Sequence, residues 1–302
     1  MSKQLKADIS LLVVTLSWGA SFILSKNSLD ALETYNFLAI RFLIAFAISS
    51  LIFYKNMKRI NKNTLKYGTI IGIILFSAFA FETVGLNYTT ASKSAFITGF
   101  SVVLVPVLSS ILLKKAPQKQ AIVGACIAFI GLSLLSLNGS LVINIGDFYT
   151  LISSFAFALH IIFVDKYTSK IDSIALAIIQ IGVVAILSLF TSFAIENPII
   201  PSGEVVWINI FILSIVCTSG AFIIQNAAQK YTTPTHTALI YTTEPVFAAI
   251  FGYFMAGEIL SLRGVLGAVL ILFGMLVAEI NLKSLFNKKD SNNKNKDFKK
   301  AV

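Results

Sequence analysis

The chain has 302 residues, of which 56% are hydrophobic and 13% are charged, and its formal net charge is +10. This composition excludes a soluble globular protein, whose surface would carry far more charge, and it places the chain in a lipid bilayer. A nucleic-acid partner is not indicated, because most Lys and Arg residues fall in short segments on one predicted side of the membrane.

Apolar stretches long enough to cross a hydrocarbon core of ~30 Å, each of roughly 20 residues, recur along the whole chain. They predict an all-α integral membrane protein with about ten transmembrane helices. The predicted spans lie near residues 8–25, 37–54, 67–87, 94–113, 120–137, 147–164, 174–194, 206–229, 237–256 and 264–280. The first stretch is interpreted as a span and not as a cleaved secretory signal, because it contains Trp18 and continues past any plausible cleavage site.

The distribution of Lys and Arg predicts the orientation of these spans. If the N-terminus is cytoplasmic, nearly all the cations lie in cytoplasmic segments, so both termini are predicted to face the cytoplasm from the plasma (inner) membrane. Residues 1–7 then form a cytoplasmic N-terminus. Residues 282–302, rich in Lys and Asn, are predicted to be a disordered basic tail, with attraction to anionic membrane lipids as a secondary effect.

Three polar side chains fall inside predicted spans of the first half. Trp18 lies in mid-span, where its indole N–H either faces a cavity or packs against a neighbouring hydroxyl group. Arg41 and Glu82 lie about one turn below the outer ends of their spans, close enough to form an ion pair. Ionisable groups in hydrocarbon cost of order a few kcal/mol, so they are expected to be functional or paired. The alternatives are snorkelling of Arg41 to the headgroups, and a packing pair of Glu82 with Arg41 or Lys93.

The second half adds further candidates. His160 in the sixth span either faces a cavity or is a hydrogen-bonded packing residue. Glu244 in the ninth span precedes Pro245, which is expected to kink the helix and to free a carbonyl group. Hydrocarbon favours the protonated form of a carboxyl group, so Glu244 suits reversible protonation, and the alternative is a Glu that fixes the kink.

A segment in the first half recurs in the second half. Tyr88–Ile97 (YTTASKSAFI) is echoed by Tyr231–Ile240 (YTTPTHTALI). At the same offset Glu82 corresponds to Gln225, and Gly124 and Gly131 correspond to Gly267 and Gly274, while at a slightly shorter offset Asp8 corresponds to Asp147 and Arg41 to Gln180. The paired glycines share one helix face and predict close helix contact.

These echoes predict two repeats, residues 8–138 and residues 147–281. Each contains five spans, so the second enters the membrane from the opposite face, and the result is a 5+5 inverted-topology repeat with a solute site where the halves meet. The echoed segments are candidate gates, with Tyr88 and Lys93 at the outer gate and Tyr231 and His236 at the inner one.

Metal or cofactor chemistry is not indicated. Neither His160 nor His236 has metal-ligand spacing to another His or Cys, and Cys126 and Cys217 fall inside spans as apolar fillers. Asp8 and Asp147 begin their predicted helices as capping residues. No predicted loop is long enough for a soluble catalytic domain.

Several motifs together resemble those of the drug/metabolite transporter superfamily, in particular its ten-helix EamA-like branch. They are Trp18-Gly19-Ala20-Ser21-Phe22, Arg41-Phe42, Tyr88-Thr89-Thr90-Ala91-Ser92, Gln180, Glu244-Pro245-Val246-Phe247, and Gly257-Glu258 followed by Gly264, Gly267 and Gly274. One departure is Pro106, which lies one turn later after Tyr88 than Pro245 lies after Tyr231, so the kink in the fourth helix is displaced.

The resemblance implies secondary transport of a small organic metabolite, for which we expect alternating access and proton coupling through Glu82 or Glu244. An amino acid or a related metabolite is the first expectation for the solute, and a planar aromatic vitamin such as riboflavin is the alternative. An intramembrane enzyme and a non-transporting receptor are the alternatives from other classes. Arg41, Glu82, Gln180, Gln225 and Glu244 are the preferred polar site residues, and a homodimer is compatible with the pattern.

Overall fold

The computed structural model describes residues 2–112, 119–136, 144–168, 171–232 and 234–279. Within these ranges the regular structure is helical and contains no strand. The predicted tail, residues 282–302, lies outside the described residues. The all-α architecture predicted from composition is confirmed.

The described residues of the first half form seven helices. They are α1 (Lys3–Leu29), α2 (Thr34–Ile52), the short α3 (Tyr54–Met57), α4 (Lys62–Leu86), α5 (Ala91–Gly99), α6 (Ser101–Leu112) and α7 (Lys119–Ser136). The second half contains α8 (Ile145–Thr168), α9 (Ser173–Ile195), α10 (Glu204–Ile212), a π-helical segment (Leu213–Gly220), α11 (Ala221–Ala228), a 3₁₀ turn (Gln229–Tyr231), α12 (Pro234–Tyr241), α13 (Glu244–Ala256) and α14 (Leu262–Glu279).

The lengths of these helices suit a bilayer. In the described chain, seven helical stretches are long and apolar enough to cross a membrane: α1, α2, α4, residues 91–112, α8, α9 and residues 204–231. Three shorter apolar helices accompany them, Ile122–Leu135, Glu244–Ala256 and Leu262–Val277. Large side chains such as Phe190, Phe193 and Phe254 are more than two-thirds exposed on the outer surface of their helices, as expected for residues that face lipid.

Short polar side chains set several helix starts. Ser2, Asn61 and Thr90 each accept a hydrogen bond from a backbone N–H in the first turn of the helix that follows. The expectation that Asp8 begins the first helix was wrong, because Ser2 caps α1 and Asp8 lies in its second turn. At the start of α14, Ser261 accepts a hydrogen bond from the Gly264 N–H at 3.1 Å.

Asp172 begins α9 outside the membrane-spanning segments. Partial burial by itself favours its neutral form, but the N–H groups of Ala175 and Ile174 and the side chain of Asn56 donate hydrogen bonds to the carboxylate, and Lys230 attracts it. The net effect is to lower the pKa of Asp172 below its ordinary value. The ionised cap therefore connects α9 to the short helix α3 through Asn56.

Two of the spans are interrupted. The break between α12 and α13 falls at residues 242–243, and Pro245 occupies the first turn of α13, where its missing N–H costs nothing. The break between α5 and α6 falls at Phe100, more than one turn before Pro106, which lies inside α6. Glu244 is the first residue of α13 and thus lies at the positive end of that helix dipole.

The helices of the two halves pack against each other. α2 packs on α9, α7 on α14, α4 on α8 and α9, and α1 on α13. The paired glycines lie in the contact of α7 with α14: a Cβ atom at Gly131 would come within 2.6 Å of the Gly267 carbonyl oxygen, and one at Gly274 within 2.6 Å of the Gly124 carbonyl oxygen. The predicted close approach at these glycines is confirmed.

Candidate functional site

A cavity lies between the two predicted repeats. It is lined by α1, α4, α5, α6 and, from the second half, α8, α11, α12 and α13. Its lining residues are Trp18, Ser21, Phe22, Phe79, Glu82, Thr98, Gly99, Ser101, Val102, Phe157, His160, Ile161, Phe222, Gln225, Tyr241 and Glu244. The structure thus brings together five residues that sequence analysis singled out separately: Trp18, Glu82, His160, Gln225 and Glu244.

Aromatic rings form much of the wall. The Trp18 ring lies 5.4 Å from that of Phe222 and 5.3 Å from that of Tyr241, and Phe79 lies 5.5 Å from Phe157 and 6.0 Å from Phe222. Tilted and edge-to-face contacts at these distances hold the rings in fixed orientations. The result is one connected aromatic surface contributed by both halves.

The indole of Trp18 is held by the π-helical segment. Trp18 Nε1 donates to the carbonyl oxygen of Cys217 at 3.0 Å, and Cys217 Sγ donates to the Ser17 carbonyl oxygen at 3.2 Å. A π-helical turn shifts the regular hydrogen-bond register, so that a carbonyl group becomes available to a neighbouring helix. Trp18 therefore lines the cavity and also packs, with a backbone carbonyl as its partner where a hydroxyl group was expected.

Two carboxyl groups line the cavity. Glu82 comes from α4 and accepts a hydrogen bond from the Thr98 hydroxyl at 3.3 Å, while Glu244 comes from the start of α13. The two carboxyl groups interact electrostatically. The cavity thus receives one acidic side chain from each predicted repeat.

Arg41 lies behind the cavity wall. It is 2% exposed, so it does not snorkel to the headgroups. Its Nε donates to the Thr218 hydroxyl at 2.8 Å, and its guanidinium carbon lies 5.2 Å from the centre of the Phe79 ring. Arg41 attracts Glu82 electrostatically, but the two do not form the expected ion pair within 4.0 Å among the described residues. Thr218 in the π-helical segment takes the place of Glu82 as the direct hydrogen-bond partner of Arg41.

His160 begins a chain of buried hydrogen bonds. Its Nε2 lies 2.6 Å from Gln180 Oε1, Gln180 Nε2 donates to Asn226 Oδ1 at 3.1 Å, and Asn226 Nδ2 donates to the Phe222 carbonyl oxygen at 2.8 Å. Because Gln180 offers an acceptor, His160 must donate from Nε2. His160 is therefore both a packing residue and a lining residue, and Gln180 positions it from outside the cavity.

Two buried polar atoms in the lining remain unsatisfied. Gln225 Oε1 and the Tyr241 hydroxyl approach each other but have no hydrogen-bond partner of ordinary distance and angle among the described residues. Gln225 is 1% exposed and Tyr241 is 5% exposed. Since a buried polar group without a partner costs about 1–3 kcal/mol, these atoms indicate a place for a ligand or water.

An ion pair and hydrogen bonds hold the first candidate gate at one end of the bundle. Lys93 Nζ forms an ion pair of 2.6 Å with Asp147 Oδ2, and the Thr89 hydroxyl donates to Asp147 Oδ1 at 2.9 Å. Lys26 Nζ donates to the Thr89 carbonyl oxygen at 2.6 Å. Asp147, expected only to cap α8, joins the start of the second half to the gate segment of the first. Tyr88 is 56% exposed and does not line the cavity.

The same segment receives a further contact from Glu258. Its carboxylate accepts from the backbone N–H groups of Ala91 and Ser92 at 2.8 and 2.9 Å, and from the Ser92 hydroxyl at 2.5 Å. This role of Glu258 was not predicted, because a cap supplied from another part of the chain has no local sequence pattern. Its place beside Gly257, which takes a positive φ of 62°, was the available signal.

The second candidate gate is described only in part. Tyr231 is 52% exposed, and Lys3 Nζ lies 5.8 Å from the centre of its ring. His236 lies on the backbone of α12, and its side chain is outside the described part of the chain. Within the described residues no group of three His, Cys, Asp or Glu side chains could hold a metal ion.

Comparison with known proteins gives consistent matches. The model of the EamA-like transporter family matches residues 5–137 and again residues 144–279. An uncharacterized transporter of Archaeoglobus fulgidus is 33% identical over 93% of this chain and 88% of its own length. The uncharacterized transporter YyaM of Bacillus subtilis is 30% identical over 91% of this chain and 94% of its own.

The fold also matches a solved crystal structure. The two chains superimpose with a TM-score of 0.70, and the match covers 93% of this chain and 98% of the other. Their sequences are 18% identical, so the likeness concerns the fold alone.

Proposed function

Because the chain belongs to the EamA-like transporter family, we propose that it carries a small organic metabolite, an amino acid or a related compound, across the membrane by alternating access. The observation that carries this proposal is the cavity at the contact of the two halves, with buried polar groups at the centre of an apolar bundle. Intramembrane polar groups that face a cavity mark solute pathways.

We propose that the two halves form an inverted repeat, an arrangement that favours alternating access. Under such a repeat α2 corresponds to α9 and α7 to α14, and each of these helices packs on its own counterpart. The family model also matches the chain twice. Two similar units of opposite orientation can exchange conformations and open a central site to either side. We place the protein in the plasma membrane, with both termini in the cytoplasm.

Exchange in liposomes tests transport directly. Purified full-length protein is reconstituted, the vesicles are loaded with one unlabelled solute, and entry of the labelled solute is followed for a set of amino acids, their amines and riboflavin. We expect exchange above that of protein-free vesicles for at least one of them. Absence of exchange for the whole set contradicts transport of this class.

A matched pair of variants tests whether the cavity is the pathway. Ser21→Trp adds a large ring inside the cavity, whereas Ser202→Trp adds the same ring at an exposed loop position. We expect Ser21→Trp to abolish exchange and Ser202→Trp to retain it. Exchange by Ser21→Trp at the wild-type rate would show that the transport pathway does not pass through this cavity.

Coupling to protons is proposed through Glu82 or Glu244, since a carboxyl group at membrane depth can bind and release a proton during the cycle. We expect that uptake driven by a pH gradient loses this dependence in Glu82→Gln or Glu244→Gln. If both variants keep the full dependence, proton coupling through these groups is refuted.

A planar aromatic solute such as riboflavin is the second candidate. The connected aromatic wall of Trp18, Phe79, Phe157, Phe222 and Tyr241 favours it, because each ring offers a stacking surface. Exchange of riboflavin without exchange of amino acids or amines would select this candidate.

A further inference from the structure

The cavity offers more negative than positive partners to a solute. Glu82 and Glu244 supply carboxylate oxygens, and Gln225 Oε1 is a buried acceptor without a hydrogen-bond partner of ordinary geometry. Among the described lining residues there is no Lys or Arg. His160 uses its Nε2 proton on Gln180, so its neutral form has only the Nδ1 acceptor left.

The charges around the cavity do not cancel. Arg41, behind Phe79, attracts Glu82 and so compensates one of the two carboxylates. Among the described residues Glu244 forms no ion pair within 4.0 Å, and it lies at the positive end of the α13 dipole, which compensates its charge in part. With both carboxyl groups ionised, the site is therefore short of one positive charge.

The aromatic wall is a surface on which a positively charged solute can bind. Trp18, Phe79, Phe222 and Tyr241 line the same space, and the negative face of an aromatic ring attracts a cation within about 6 Å. Phe79 already has the Arg41 guanidinium 5.2 Å from its ring centre, so this wall is in contact with one cation. Rings beside carboxylates form a pocket for an apolar body that bears a charged amine.

We propose that the transported solute is an organic ammonium ion, whose N–H groups donate to Glu82, Glu244 and Gln225 and whose apolar body packs on Trp18 and the neighbouring rings. The inference rests on the proposed transport function and narrows its solute class to amines. A zwitterionic amino acid fits less well, because its carboxylate would lie beside two acidic side chains without a lining Lys or Arg to receive it.

Four probes that share a phenyl ring and differ in charge test this class. They are 2-phenylethylammonium (cation), 2-phenylethanol (neutral), phenylalanine (zwitterion) and 3-phenylpropanoate (anion). Each is titrated into purified full-length protein while the thermal unfolding midpoint is measured, since a ligand that binds only the folded state raises it. We expect the ammonium ion to raise the midpoint and the other three to leave it unchanged at the same concentration.

Variants locate the binding. Glu82→Gln and Glu244→Gln keep the shape of the side chain, and we expect each to weaken 2-phenylethylammonium binding at least about 30-fold, as for loss of one member of a buried charge pair. Trp18→Leu is expected to weaken it by about 3- to 30-fold. Glu204→Gln, at an exposed position in α10, is the matched control and should bind as the wild type does.

Several outcomes overturn the proposal. They are stabilisation by phenylalanine equal to or greater than that by the ammonium ion, no stabilisation by the ammonium ion, and unchanged ammonium binding in both carboxyl variants. Counterflow of the same labelled probes separates this failure from failure of transport. Exchange of phenylalanine without exchange of 2-phenylethylammonium overturns the inference about the amine but still supports transport. Absence of exchange for every solute in the earlier set contradicts transport itself.

Discussion

At the scale of single residues, Glu196 completes a helix that is distant in sequence. It follows α9, and its carboxylate accepts from the backbone N–H groups of Tyr35 and Asn36 at 2.8 Å each. Glu33 occupies the N-cap position of that helix, α2, but its side chain makes no capping hydrogen bond. The free N–H groups at the start of α2 are therefore satisfied from the second half of the chain.

Removal of this remote cap should destabilise the protein, whereas removal of the nearby glutamate should not. We expect Glu196→Ala to reduce stability by about 1–2 kcal/mol, because two N–H groups and the positive end of a helix dipole lose their partner. Glu33→Ala, the control at the same helix end, should stay within about 0.5 kcal/mol of the wild type. Unfolding midpoints of both variants in detergent check this, and equal losses would contradict it.

The unusual side chains are evident in the sequence, but their partners are not. Trp18, Glu82, His160 and Glu244 stood out because polar or ionisable groups are rare in apolar spans. Arg41 was expected to pair with Glu82, yet it donates to Thr218. Such partners depend on how helices far apart in sequence rotate and pack, and no local pattern in the chain encodes that rotation.

At the scale of helices, local patterns predicted some irregularities and missed others. Pro245 marked a break in its span, and the interruption lies immediately before it. The π-helical segment Leu213–Gly220 contains no proline and was not anticipated. Its register is supported by tertiary contacts, since Cys217 and Thr218 bond to Trp18 and Arg41 on other helices. A feature stabilised by its neighbours leaves no periodic signal of its own.

The paired glycines allow a prediction at this scale. A Cβ atom at Gly131 would meet backbone atoms of α14 within 2.7 Å, so Gly131→Ala should force α7 away from α14 and lower stability by about 1–3 kcal/mol. A Cβ atom at Gly264 meets nothing nearer than 3.4 Å. Gly264→Ala should therefore be neutral or slightly stabilising. Unfolding midpoints in detergent distinguish the two, and a harmless Gly131→Ala would contradict the close contact.

At the scale of the whole molecule, polar contacts join the two halves at one end of the bundle. Asp147 binds Thr89 and Lys93, Glu258 binds the start of α5, and both acids belong to the second predicted repeat. The partners of Asp147 therefore lie in the first candidate gate. Alternating access requires these contacts to break when that end opens, because a ligand or mutation shifts a conformational equilibrium only through interactions that differ between the states.

The proposed inverted repeat makes opposite predictions for two aspartates. Asp147→Asn removes the charge that holds Lys93, so we expect the equilibrium to shift towards opening at the Tyr88–Lys93 end. Asp8, the residue that corresponds to Asp147, should act at the other end, and Asp8→Asn should shift the equilibrium in the opposite direction. Loss of a fully buried ion pair costs about 3–5 kcal/mol, and this pair is worth less because the Lys93 side chain is 21% exposed. A tenfold shift needs about 1.4 kcal/mol, so we expect a shift of about tenfold for Asp147→Asn.

A cysteine in the cavity measures this shift. Ser101→Cys places a thiol in the lining, in a background with Cys126→Ala and with Cys217→Ser, which keeps a donor for the Ser17 carbonyl. The rate of labelling by a membrane-impermeant thiol reagent is measured from each side of oriented vesicles. The ratio of the two rates should move in opposite directions for Asp147→Asn and Asp8→Asn. Movement in the same direction would contradict the inverted repeat, and an unchanged ratio for Asp147→Asn would show that its ion pair does not hold the gate.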